Sequence, residues 1–100
     1  MPANETKVVV ESFSLSRKQG NGILRREVWV NKRGEVVRYN LAYIHHGINR
    51  RDNGRVVGYG NAHGEHHRHY MGKVKPVDFV SFEHIEARFE QDWIRFRRKK

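Results

Sequence analysis

The spacing of apolar residues changes at Ser81, and that change constrains the fold more than any other feature of the chain. Beyond it Phe82, Ile85, Phe89, Trp93 and Phe96 recur at steps of three and four, which places them on one face of a helix. Ser81 suits the N-cap, although His84 stands where a capping box would carry Glu or Gln. Glu83 and Glu86 come early and Arg95, Arg97 and Arg98 late, as the helix dipole favours. The spacing predicts a helix over 81–97 with an aromatic face large enough to form half a core.

Before Ser81 the pattern is that of strands. "KVVVESFSL" and "ILRREVWV" are rich in β-branched and aromatic residues, and "SRKQGNG" separates them. "NKRG" is a turn signal with Gly34 at a left-handed position. "EVVRYNLAYIHH" alternates: Val37, Tyr39, Leu41 and Tyr43 share one face, and Val36, Arg38, Asn40, Ala42 and Ile44 the other. Asn53-Gly54 is a strong hairpin signal leading into "RVVGYGNAHG", where Gly58, Gly60 and Gly64 suggest a bulge or a close backbone approach. "EHHRHYM" resumes as strand before Gly72 and Pro76 punctuate. The expectation is one α+β domain over 1–100. It has a loose N-terminus (1–6), an antiparallel meander of about four to five strands (7–75), and one C-terminal helix packed against the sheet.

A chain of 100 residues supports one thin core. Twenty Lys and Arg against eleven Asp and Glu give +9, which suits a polyanion, an acidic protein or an anionic surface. The absence of cysteine removes disulfides, thiolate metal sites and a cysteine nucleophile. No apolar run approaches the ~18 residues of a spanning helix, and the N-terminus has no secretory pattern. A cytoplasmic protein without a membrane partner is expected.

The chemistry concentrates in "GYGNAHGEHHRHY". If "EHHRHY" is extended, His67 and His69 share one face, with His66, Arg68 and Tyr70 on the other. Histidine serves as both acid and base near neutrality. RNA cleavage by its own 2′-hydroxyl needs a base, an acid and cations for the charge developing on phosphorus. His67 and His69 are the acid–base candidates, with Arg68 for phosphate charge and His63 and His66 in reserve. Tyr70 is a proton donor or stacking surface, and Asp52 would orient the group if the hairpin folds it close. Neighbouring arginines should lower the histidine pKa values. His63, His66, His67 and His69 also have spacings that could supply zinc ligands, but Arg68 lies among them and no HExxH pattern exists. No metal or cofactor is assigned. The plainest alternative is a solvated strand edge.

Arg25, Arg26, Lys32, Arg33, Arg50, Arg51 and Arg55 are spread over turns and strands, and "RFRRKK" closes the chain. Charge runs are usually solvated, yet phosphate contacts are the simplest use of so large a surplus. Trp29, Tyr39 and Tyr43 are either stacking platforms or core.

The motifs "YNLAYI", "DNGRVVGY", "NAHGEHHRHY" and "FVSFE" resemble the TumE-type family of small prokaryotic proteins, regarded as candidate toxin components of toxin–antitoxin pairs. The resemblance covers roughly residues 39–93. It implies a cytoplasmic protein paired with an antitoxin, commonly a helix-turn-helix protein, and a nucleic-acid target. It transfers no catalytic residues. The leading expectation is a metal-independent endoribonuclease acting on RNA. The alternatives are a non-catalytic module that binds nucleic acid or a partner protein, and a histidine-ligated metal-dependent hydrolase. The meander also has edges that a partner or a second copy could cover.

Overall fold

The computed structural model describes residues 5–19 and 21–97, with the side chains of Gln19, His63 and Arg97 outside the description. Part of the expected loose N-terminus (1–4) and the end of the basic tail (98–100) therefore lie outside the described residues. The fold is α+β, an antiparallel meander packed against one C-terminal helix. Its strands are β1 (Thr6–Ser14), β2 (Ile23–Val30), β3 (Val36–Ile44), β4 (Arg55–Gly60), β5 (His67–Tyr70) and β6 (Lys73–Pro76). They pair in sequence order, and α1 (Phe82–Arg97) follows. The meander thus has six strands, one more than the upper count read from the sequence. β6 is the addition, and every one of its residues is exposed.

The helix starts where the spacing changes. Ser81 Oγ accepts from the His84 amide at 3.1 Å, satisfying one of the orphan donors of the first turn. Ile85, Phe89, Trp93 and Phe96 are buried against Tyr39, Leu41, Tyr43, Val57 and Tyr59, so α1 covers β3 and β4 on one face. Each such side chain contributes about 1.5–3 kcal/mol of burial. Tyr39 and Tyr43 are therefore core residues. The helix is also tied to the sheet by polar contacts. Asp92 Oδ2 accepts from Tyr59 Oη at 2.5 Å and from Arg68 Nε at 2.9 Å. Burial first, and then this carboxylate, push the Tyr59 phenol up to about 12.

Two turns differ from expectation. Asn53-Gly54 does not close a two-residue hairpin, because β3 ends at Ile44 and residues 45–54 form the connection. Asn49 is buried there; its Nδ2 donates to the Arg51 and Arg55 carbonyls and its Oδ1 accepts from the Arg51 amide. The tight two-residue hairpin is instead Met71-Gly72, with φ of 51° and 86°, linking β5 to β6.

Candidate functional site

Strand alternation sorts the histidine segment onto two faces. In the β4–β5 ladder Gly60 pairs with His67 and Gly58 with His69, while Tyr59 pairs with Arg68 and Val57 with Tyr70. Tyr59 and Arg68 meet Asp92 of the helix, so they point to the covered face. His67 and His69 therefore lie on the open face, over glycines. Their rings stand edge to face with centroids 4.8 Å apart. Both line a cavity of about 330 Å³ with Trp29, Arg38, Asn40, Arg55 and Gly60.

The backbone floor makes this cavity. A Cβ at Gly60 would lie 3.9 Å from His67 Nε2 and 4.0 Å from Asn40 Oδ1, so that nitrogen sits above the floor. At Gly58 a Cβ would come within 2.8 Å of Arg55 Cδ and 2.7 Å of the Leu41 carbonyl oxygen. Gly58 thus lets Arg55 lie flat on the sheet beside His69.

Each imidazole is set by a different partner. His67 Nδ1 is 3.0 Å from the Glu65 carbonyl oxygen. A carbonyl only accepts, so Nδ1 is the donor, and in the neutral ring Nε2 carries the lone pair. His69 has only 13% of its side chain exposed, and its Nδ1 lies 3.4 Å from Asp52 Oδ2. That is long for a hydrogen bond, and this buried nitrogen has no other polar partner among the described residues. Burial, and then Arg55, hold His69 below the ordinary imidazole value, while Asp52 opposes them. Arginine thus lowers this histidine, but as the secondary cause.

Asp52 is placed by its own turn. Arg55 Nε and Nη2 donate to its two carboxylate oxygens at 2.8 and 2.9 Å. These bonds pull the Asp52 pKa below its usual value. Asp52, Asn53 and Gly54 have φ of 54°, 55° and 83°. Asp and Asn adopt that region more readily than other non-glycine residues, which suits them to this turn.

Arg38 and Trp29 complete the open face; Arg38 was not among the site residues expected from sequence, and Trp29 was expected only as a stacking platform or core residue. The two pair across β2 and β3, and Arg38 stacks over the Trp29 ring at 4.2 Å. Lys7 Nζ is 4.8 Å from the same ring. Trp29 is half-buried at this face and already carries both cations against its ring. Arg38 also pairs with Glu5 at 3.2 Å.

The other expected residues lie elsewhere. Arg68 and Tyr70 are on the covered face, with the Arg68 guanidinium 4.4 Å over the Tyr70 ring, so the cations beside the histidine pair are Arg55 and Arg38. His66 also turns away. Its Nδ1 is 2.8 Å from Tyr39 Oη and its ring stacks on Phe79 at 4.0 Å. His63 belongs to the turn Ala62–Gly64, and its side chain lies outside the described residues. Arg26 is held by Glu11 and Glu86 on the helix side. Arg25, Lys32, Arg33, Arg50 and Arg51 are exposed and do not line the cavity.

Among the described residues, no three of His, Asp and Glu are grouped so as to hold a metal ion. Nor is any helix among them long and apolar enough to cross a membrane. Compared with protein-family models, with curated proteins and with solved structures, the chain matches none.

Proposed function

We propose that the open face cleaves RNA without a metal ion, with His67 and His69 as the acid–base pair, and that the protein is the toxin of a toxin–antitoxin pair. The observation that carries the chemistry is the pair of imidazoles 4.8 Å apart beside two guanidinium groups in one glycine-floored cavity. His67 Nε2, with its lone pair free, takes the proton of a ribose 2′-hydroxyl. The 2′-oxygen attacks phosphorus, and the bond to the 5′-oxygen breaks. That oxygen leaves with a proton from His69, whose imidazolium Asp52 stabilises. The products are a 2′,3′-cyclic phosphate and a 5′-hydroxyl. Arg55 and Arg38 offset the charge that builds on the phosphoryl oxygens. An entering phosphodiester also favours protonation of His69, offsetting its burial.

The toxin assignment rests on the TumE-type resemblance of residues 39–93. It implies an antitoxin partner, of the helix-turn-helix kind, made from the neighbouring reading frame. The net charge of +9 supports an RNA substrate and an acidic partner alike. The test is cleavage of single-stranded RNA with chelator present, by the wild type and by the His67→Ala/His69→Ala double variant. Loss of cleavage and of growth inhibition in the double variant is expected. Cleavage at the wild-type rate would remove the pair from the mechanism. RNA bound in a salt-dependent way but left intact would make the face a binding surface only.

A further inference from the structure

The covered face carries a second basic cavity, at the β5–β6 edge beyond the helix. It measures about 230 Å³ and is lined by Arg68, Tyr70, Lys73 and Lys75. The hairpin register builds it, with Arg68 opposite Lys75 and Tyr70 opposite Lys73.

Like charges directly opposite each other across an antiparallel pair are destabilising. Asp92 offsets only part of this charge. It accepts from Arg68 Nε, and the Tyr59 hydroxyl also interacts with Arg68, while both lysines line the same cavity. Lysines on an edge strand also deter strand addition, but Pro76 and the shortness of β6 already serve that end. Edge protection gives no reason to gather both lysines beside an arginine. An anion between them does. Arg68 is preorganised for one, fixed at Nε by Asp92 and stacked on Tyr70, which in turn packs on Phe96 at 5.9 Å.

We propose that Arg68, Lys73 and Lys75 form a phosphate-binding site, with Tyr70 as its aromatic wall, on the sheet face opposite His67 and His69. Its ligand carries either a phosphate monoester, as a free nucleotide does, or the phosphodiester of a nucleic-acid strand. The site does not depend on the cleavage reading, because the histidine pair faces the other way.

Calorimetric titration of the full chain with inorganic phosphate, with AMP and with a short single-stranded RNA lacking a terminal phosphate tests it. The Lys73→Gln/Lys75→Gln variant should weaken binding on the order of tenfold or more, as loss of charge-assisted contacts implies. An Arg17→Gln/Lys18→Gln variant removes the same charge from the exposed turn between β1 and β2 and should change it less than about twofold, as surface charges away from a ligand do. Loss for phosphate or AMP identifies a monoester site, and loss for RNA alone a phosphodiester site. Equal weakening in both variants would reduce the effect to overall charge and overturn the proposal, as would failure of the wild type to bind any probe at millimolar concentration. In the wild type, AMP or RNA should also move the NMR signals of Arg68 Nε–H and of the Lys73 and Lys75 amides. Binding that leaves those signals unmoved would contradict the site.

Discussion

Asp52 Oδ2 stands 3.4 Å from His69 Nδ1, held there by two hydrogen bonds from Arg55. The backbone beneath it is left-handed and the imidazole nitrogen it faces is buried without a closer partner. An under-satisfied buried nitrogen costs stability. Under the proposed cleavage the contact has a use, because the Asp52 carboxylate favours the imidazolium form of His69.

Asp52→Asn removes the carboxylate that favours the imidazolium. The His69 pKa, already below the ordinary imidazole value, should fall further, because burial and Arg55 then act unopposed. NMR titration of the His69 ring reads the shift directly. Cleavage should drop by roughly ten- to a thousandfold, with its pH profile displaced to the acid side. A His69 pKa that stays put or rises would show that Asp52 does not act on this ring.

Gly60→Ala and Gly58→Ala should separate function from folding. At Gly60 the added methyl meets the Tyr39 carbonyl oxygen at 3.4 Å and His67 Nε2 at 3.9 Å. These are ordinary contacts, so the melting temperature should hold while the methyl fills the cavity floor and cleavage falls. At Gly58 it would stand 2.7 Å from the Leu41 carbonyl oxygen, which is backbone. That variant should lose about 1–3 kcal/mol in urea unfolding. Equal stability losses in the two variants would contradict the geometry of the floor.

Acid should destabilise the protein before its carboxylates titrate. His66 and His69 both lie below the ordinary imidazole value, chiefly through burial. Between that lowered value and ~6.5 the unfolded chain binds protons that the folded chain does not, so stability rises with pH. It is fully present above ~6.5 and is lost as the pH falls toward the folded-state values. Asp52 and Glu27, both lowered by partners, extend the loss below the normal carboxylate range. Melting temperatures from pH 7.5 to 5 should fall, and the fall should flatten in a His66→Gln/His69→Gln variant. A flat wild-type profile would contradict the burial of both rings.

The helix was legible because five apolar residues at steps of three and four have no other economical reading. β2 and β3 were legible for the parallel reason that their aromatics and β-branched residues alternate or cluster. β6 was not, since a four-residue edge strand with no buried side chain leaves no periodic trace. Asn53-Gly54 carried the hairpin composition, but the chain spends it on a longer connection that presents Asp52. The tight turn fell to Met71-Gly72, a pair with weaker turn preference. Alternation in "HHRHY" was enough to separate Arg68 from His67 and His69, so a phosphate role for Arg68 beside them conflicted with the sequence itself. Arg38 could be placed next to Trp29 only with the β2–β3 register in hand, and that register shifts at a bulge after Trp29.

The most direct test is single-turnover cleavage of an RNA against the same strand carrying one 2′-deoxy sugar at the cleaved position, with chelator present. His67 is assigned the proton of that 2′-hydroxyl, so the all-ribose strand should yield a 2′,3′-cyclic phosphate and the substituted strand should stay intact at that position. His67→Ala and His69→Ala should each slow the reaction by roughly a hundredfold or more. Cleavage of the deoxy-substituted strand, or products ending in a 5′-phosphate, would contradict the proposed chemistry of the histidine pair.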